Sequence, residues 1–292
     1  MAFTTLITTD ALALHLADPA FVIADCRYNL DNERWGAQEY IERHIPGASY
    51  VHLGHDLAGP KTGANGRHPL PEPIALARTF GRLGIAAGAQ VVAYDQDTGM
   101  YASRLWWLLR WLGHDAVAVL DGGFAKWIGE QRPTTSGEER RPAREFEGVP
   151  RANWTMTADD VAAAARRPDW RIVDARAPER YRGETEPIDR VAGHIPAAVN
   201  HFYKWNLDER GTFRTPEEIR RRMKETVGDV PPERIVSYCG SGVTACHNLL
   251  ALEHAGLRGA TLYPGSWSEW SSDPARPVET NADSERTAIK PA

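Results

Sequence analysis

Phe21-Val22-Ile23-Ala24-Asp25-Cys26-Arg27, early in the chain, returns in the second half as Arg171-Ile172-Val173-Asp174-Ala175-Arg176. Both are short β-branched runs that end in Asp-x-Arg, and each is followed by a His-Ile-Pro turn, His44-Ile45-Pro46-Gly47-Ala48 and His194-Ile195-Pro196-Ala197-Ala198. Further on, Val91-Val92-Ala93-Tyr94-Asp95 matches Ile235-Val236-Ser237-Tyr238-Cys239, and Gly113, Gly122 and Trp127 match Gly256, Gly265 and Trp270. The offset is 149 from Asp25 to Asp174 and 143 from Trp127 to Trp270, so small insertions differ while the order holds. A match of this kind is duplication of a whole domain.

The runs are four or five residues long and bounded by polar residues, the pattern of strands buried on both faces. Helix signals lie between them. Thr215-Pro216-Glu217-Glu218 combines an N-cap, a proline at the first helical position and a capping-box acid, and Thr157 with Asp160 repeats the box. Ala245 to His254 reads as a helix stopped by Gly256. Alternating strand and helix predicts an α/β fold in two tandem copies, each a mainly parallel sheet flanked by helices. The predicted boundaries are 1–128 for the first domain, 129–153 for a solvated linker rich in Glu, Arg, Pro and Gly, 154–278 for the second domain and 279–292 for a polar tail.

The 292 residues suffice for two such domains, and 42% hydrophobic with 25% charged residues is the balance of a packed globular chain. Lys and Arg number 34 against 39 Asp and Glu, which leaves no basic surplus to attract nucleic acid or anionic lipid. No apolar run approaches the roughly 20 residues that span a bilayer, and Met1 to Asp10 lacks a signal-like core, so a cytoplasmic location is expected. Three cysteines, Cys26, Cys239 and Cys246, are too few for a disulfide framework. Cys26, within a strand, and Cys246, just inside a helix, read as core packing.

Cys239 stands apart. The strand Ile235 to Tyr238 runs through Cys239-Gly240-Ser241-Gly242-Val243-Thr244 straight into a helix. Such a turn aims several backbone N–H groups at one spot, where the helix dipole also favours negative charge. A thiol there is expected to ionise below its free pKa of about 8.5, and the thiolate is the nucleophile. Gly240 and Gly242 let the backbone close around the sulfur, and Ser241 and Thr244 add hydroxyls. The same cradle suits a stored sulfur atom.

This loop resembles the active-site loop of the rhodanese family, in its 3-mercaptopyruvate sulfurtransferase-like branch. The His-Ile-Pro turns, the two Asp-x-Arg segments and Gly265-Ser266-Trp267-Ser268-Glu269-Trp270 are also similar to family signatures, so the likeness reaches to about Val278. The resemblance implies a non-catalytic first domain, consistent with Asp95 at the position of Cys239. It implies donor-binding arginines at Arg180 and Arg190, and a relay in which Asp56 and His68 join Ser241. It also implies ping-pong transfer through a Cys239 persulfide, with the donor held by Gly240, Gly242, Val243 and Thr244. No cofactor or metal is implied. The partners would be a small sulfur donor and a cyanide or thiol acceptor, including a protein thiol such as thioredoxin.

Thiosulfate is the alternative donor, and the absence of Lys and Arg from the loop itself argues for mercaptopyruvate. A cysteine phosphatase would need an arginine about six residues after the nucleophile, where Ala245 stands. A silent binding module is opposed by the intact cysteine loop. Zinc held by Cys239, Cys246, His247 and His254 lacks the paired short-loop spacing of structural sites. His44 and His194 recur in both halves and read as structural, and Trp106-Trp107-Leu108-Leu109-Arg110-Trp111 reads as a packing helix.

Overall fold

The computed structural model describes residues 2–280. Two units emerge from the packing. The first is formed by 2–59, Leu70–Ala152 and Leu207–Arg214, and the second by Pro60–Pro69, Asn153–Asn206 and 215–280. Each unit therefore keeps a short segment that belongs, by sequence, to the other repeat.

The first unit runs β1 (Leu6–Ile7), α1 (Thr9–Ala13), β2 (Phe21–Asp25), α2 (Trp35–Glu42), β3 (Ala48–Tyr50), α3 (Leu53–Asp56), α4 (Pro73–Arg82), β4 (Gln90–Tyr94), α5 (Ala102–Trp111), β5 (Val117–Leu120) and α6 (Gly123–Gly129). Its sheet has the order β1-β5-β4-β2-β3, and every pairing is parallel. The second runs α7 (Ala158–Ala164), β6 (Arg171–Asp174), α8 (Pro178–Tyr181), β7 (Val199–Asn200), α9 (Pro216–Val227), β8 (Ile235–Tyr238), α10 (Thr244–His254), β9 (Thr261–Leu262) and α11 (Ser266–Trp270). Its parallel sheet has the order β7-β6-β8-β9, the same arrangement with Thr155 bridging beside Leu262 at the edge.

The local signals are realised. Thr157 and Thr215 both close capping boxes, with Asp160 and Glu218. All five residues of β2 and of β4 are buried, as parallel strands covered on both faces require. The tryptophans of α5 lie in the core. Among the described residues no helix is long and apolar enough to cross a membrane.

Each unit is tied by the same buried lock. Asp25 and Arg27 pair with Arg27 Nε to the two carboxylate oxygens at 3.1 and 3.0 Å and Nη2 to Oδ2 at 2.6 Å, and Asp174 with Arg176 repeats those three distances. The spare Nη2 proton reaches Arg43 O in one unit and Gly193 O in the other. The next strand contributes a tyrosine: Tyr94 and Tyr238 accept the Ile45 and Ile195 N–H groups. His44 and His194 stack on Tyr40 and Tyr181, with ring centroids 4.1 and 4.0 Å apart, and contact the carbonyls of those tyrosines, which is the structural role expected of them.

The segment predicted as a solvated linker is largely exposed, yet its backbone is docked on the first unit. Arg144, Val149 and Arg151 donate their N–H groups to Gly81, Leu112 and Trp111, Thr135 pairs with His44, and Phe146 is buried edge-on against Phe80. Main-chain hydrogen bonds, polar side chains such as Glu139 and Arg151 and one aromatic anchor dock a segment that shows no apolar period. Its two ends belong to structure as well, since Gly129 closes α6 and Asn153 joins the second unit. At the other end Glu279 pairs with His194 across two backbone hydrogen bonds, so the ordered unit passes Val278, and the tail from 281 lies outside the described residues.

In the first unit the β4–α5 loop closes on Asp95. Its Oδ1 accepts the Asp97 and Gly99 N–H groups at 3.2 and 2.9 Å, and its Oδ2 those of Tyr101 and Ala102 at 2.7 and 3.2 Å. Burial pushes this carboxyl up to about 6, against the N–H groups, which hold it down. Because the folded pKa lies above the unfolded value of about 3.9, the stabilisation is complete below that value and lost as pH rises through about 6.

Two measurements follow. Thermal unfolding of Asp95→Asn should lack the loss of stability that the wild type shows between about pH 4 and 6, and parallel profiles would contradict the assignment. Arg27→Met, which leaves a buried carboxylate unpaired, should lower unfolding free energy by about 3–5 kcal/mol in denaturant titration, whereas a loss under about 1 kcal/mol would show that the lock is not structural.

Candidate functional site

Strand β8 delivers Cys239 to the end of the second sheet, where the residue is 2% exposed. The loop is fastened from behind by the start of α11. Cys239 N–H donates to Ser266 Oγ at 3.1 Å, while Trp267 and Ser268 N–H donate to the Cys239 and Gly240 carbonyls at 2.9 Å each. With its outward-facing polar groups tied in this way, the loop turns at Gly242, whose φ of +75° is a left-handed conformation, and α10 begins at Thr244 after Val243.

The left-handed Gly242 corresponds to Gly99 of the first unit, with φ of +79°. Tyr101 and Ala102, which donate to the Asp95 carboxylate, then correspond to Thr244 and Ala245. Among the described residues the N–H groups of Thr244 and Ala245 make no hydrogen bond. Donors that Asp95 satisfies in one unit are thus available in the other, beside a thiol. Cys246 donates its own thiol to Gly242 O at 3.3 Å, and Cys26 is buried in the first unit, where burial and the nearby Asp25 and Asp95 push its thiol up. Neither is presented as Cys239 is. Among the described residues no cluster of three or more His, Cys, Asp or Glu is arranged to hold a metal ion.

Ser241 is 2.8 Å from His68 Nδ1, and both are buried. His68 reaches the loop because Pro60–Pro69 packs in the second unit, fixed by Arg67 N–H on Ser268 Oγ at 3.1 Å. Gly66 is obligatory there: φ is +82°, and an added Cβ would lie 2.7 Å from Gly265 O. Asp56 belongs to the first unit, where its Oδ2 accepts His52 N–H at 2.8 Å and its Oδ1 pairs with Arg82.

The predicted arginines separate. Arg180 is braced by Glu186, with Nε at 3.2 Å and Nη2 at 2.6 Å, and by Asp189 at 3.4 Å. Arg190 is exposed and among the described residues holds no ion pair. Arg67, which sequence reading passed over as a neighbour of His68, pairs with Asp189 and lies over the loop: an added Cβ on Gly240 would meet its Nη2 at 2.7 Å and the Arg180 Nη atoms at 3.7 Å. The loop carries no cation of its own, yet two guanidinium groups approach it. Burial and Glu186 push the Asp189 carboxyl up while Arg67 and Arg180 pull it down, with the upward effect larger. Ser266, Ser268, Glu186 and Asp189 were also missed, although the first two lie in the Gly265 to Trp270 signature and the other two between Arg180 and Arg190.

The rhodanese-like domain family matches this chain twice, over residues 8–130 and 157–273. A probable 3-mercaptopyruvate sulfurtransferase of Pseudomonas aeruginosa is 45% identical over 96% of this chain and 99% of its own length. The thiosulfate sulfurtransferase of Bos taurus is 34% identical over 86% of this chain and 85% of its own. Among solved structures, the 3-mercaptopyruvate sulfotransferase SseA of Escherichia coli superposes with a TM-score of 0.78 at 32% identity, covering 91% of this chain and 99% of its own. With two matched domains and relatives that span nearly the whole sequence, the chain belongs to the rhodanese family of sulfurtransferases, in its tandem-domain branch similar to 3-mercaptopyruvate sulfurtransferases.

Proposed function

We propose that this sulfurtransferase takes sulfur from 3-mercaptopyruvate onto Cys239 and passes it to cyanide or a thiol, a protein thiol such as thioredoxin included. The observation that carries the reading is Cys239 at the end of β8, beside loop N–H groups that bond to nothing else among the described residues. The Cys239 thiolate attacks the donor sulfur, the C–S bond breaks, and its electron pair leaves as pyruvate enolate, which takes up a proton. A persulfide remains on Cys239, its outer sulfur facing the Thr244 and Ala245 N–H groups as the Asp95 carboxylate faces those of Tyr101 and Ala102. Cyanide or a thiolate then attacks that outer sulfur, and the S–S electron pair returns to Cys239.

Ser241 and His68, 2.8 Å apart, are the groups to handle the proton the enolate needs. Asp56 enters this relay by resemblance, since its oxygens are engaged by His52 N–H and Arg82 within its own unit. Thiosulfate remains the alternative donor, favoured by the approach of Arg67 and Arg180 to Gly240. Those two cations are matched by two carboxylates, Glu186 and Asp189, so the loop gains no net positive charge to hold a dianion. This balance supports mercaptopyruvate, although by a different route from the uncharged loop alone.

Intact-mass measurement after incubation with 3-mercaptopyruvate should show one added sulfur in the wild type, in Cys26→Ser and in Cys246→Ser, and none in Cys239→Ser; sulfur retained in Cys239→Ser would remove the assignment. Asp95→Ala should still load sulfur when folded. Ser241→Ala should slow loading from 3-mercaptopyruvate about 100-fold but loading from thiosulfate far less, because sulfite leaves without needing a proton. Equal slowing with both donors would argue against the relay.

A further inference from the structure

We propose that Arg67, rather than Arg190, grips the anionic group of the sulfur donor, presenting its Nε–Nη2 edge above Gly240 while Asp189 holds its Nη1. The inference deepens the donor reading above and rests on it for the identity of that group, a carboxylate on a 2-oxo acid.

A guanidinium binds a carboxylate best through an edge that offers two parallel N–H groups. Arg180 has already committed that edge, Nε and Nη2, to Glu186, which leaves it Nη1 for a ligand. Arg190 is exposed and among the described residues holds no ion pair. Arg67 differs from both. Its Nη1 is anchored on Asp189, its Nη2 stands where a side chain on residue 240 would begin, and its Nε is closed off from water without an acceptor. A buried donor left in that condition costs free energy, and an anion settling against this edge of the guanidinium removes the cost by accepting from Nε and Nη2 together.

The backbone beneath this side chain is fixed on three consecutive residues. Gly66 lies against the Gly265 carbonyl, Arg67 N–H bonds to Ser268 Oγ at 3.1 Å, and His68 is 2.8 Å from Ser241. The histidine that faces Ser241 and the arginine that would hold the donor are thereby set by one short segment. Asp189 touches both Arg67 and Arg180, so it holds the two guanidinium groups side by side over Gly240. Donor orientation then follows: its anionic end lies toward Arg67 Nε–Nη2 and Arg180 Nη1, and its sulfur toward Cys239.

The test is the concentration dependence of sulfur loading, followed by intact mass, with 3-mercaptopyruvate as donor and pyruvate as a competing carboxylate. Arg67→Ala should raise both the half-saturating donor concentration and the pyruvate inhibition constant about 30- to 100-fold, with the maximal loading rate changed only a few-fold. Arg67→Lys, which keeps the charge and loses the fork, should remain at least about tenfold impaired, and Arg190→Ala should change less than twofold. Arg67→Gln replaces Arg67→Ala should the latter not fold by circular dichroism. Wild-type half-saturation in folded Arg67 variants, or an equal loss in Arg190→Ala, overturns the inference. Should the wild type load nothing from 3-mercaptopyruvate, the donor reading falls, and the same variants are compared with thiosulfate: a tenfold or greater rise in half-saturation in Arg67→Ala upholds the grip on an anion, and no rise overturns it.

Discussion

Where the central strand of each unit passes into the following helix, peptide N–H groups converge on one point, and buried donors of this kind require an acceptor. The first unit supplies its own. Asp95 places a carboxylate inside the loop and takes four N–H bonds, even though burial makes the charge costly there. The second unit has a thiol at the matching position and leaves the Thr244 and Ala245 N–H groups without a partner among the described residues. One backbone solution thus serves two ends: closed by a carboxylate it is structural, and open beside a cysteine it suits an anionic sulfur on the proposed reading.

What holds the loops in this shape is not local to them. The Asp-Arg lock at the end of β2 and of β6 reaches the same carbonyl positions in both units, and the tyrosine preceding each loop residue secures the His-Ile-Pro turn. Behind the second loop, Ser266, Trp267 and Ser268 consume the Cys239 N–H and the Cys239 and Gly240 carbonyls. The polar groups that would otherwise compete for the loop's interior are thereby occupied. Ser268 does double duty, since its Oγ also receives the Arg67 N–H and so fixes the segment that brings Arg67 and His68 to the site.

Much of this was legible in the residues. Duplication, strand runs, both capping boxes and the special setting of Cys239 each leave a short-range mark, because they depend on residues within a few positions of one another. The failures share a different cause. Nothing local in Pro60–Pro69 or Leu207–Arg214 announces that each packs with the other repeat, and without that exchange Arg67 reads as a surface neighbour of His68. Likewise Arg180 and Arg190 look equivalent until Glu186 is seen to occupy the two-nitrogen edge of Arg180. The stretch 129–153 gave no sign of docking because its attachment is made by backbone groups, by polar side chains such as Glu139 and Arg151 and by Phe146, none of which produces a periodic apolar signal.

On the proposed reading the Cys239 loop is an open anion cradle, the counterpart of the one Asp95 fills. Amide hydrogen exchange, resolved by residue in nuclear magnetic resonance and recorded before and after sulfur loading, tests it most directly. The account predicts that the Thr244 and Ala245 amides become at least about tenfold more protected when sulfur is loaded, while those of Gly99, Tyr101 and Ala102 are protected in both states. Unchanged exchange at Thr244 and Ala245 in the loaded protein would contradict it.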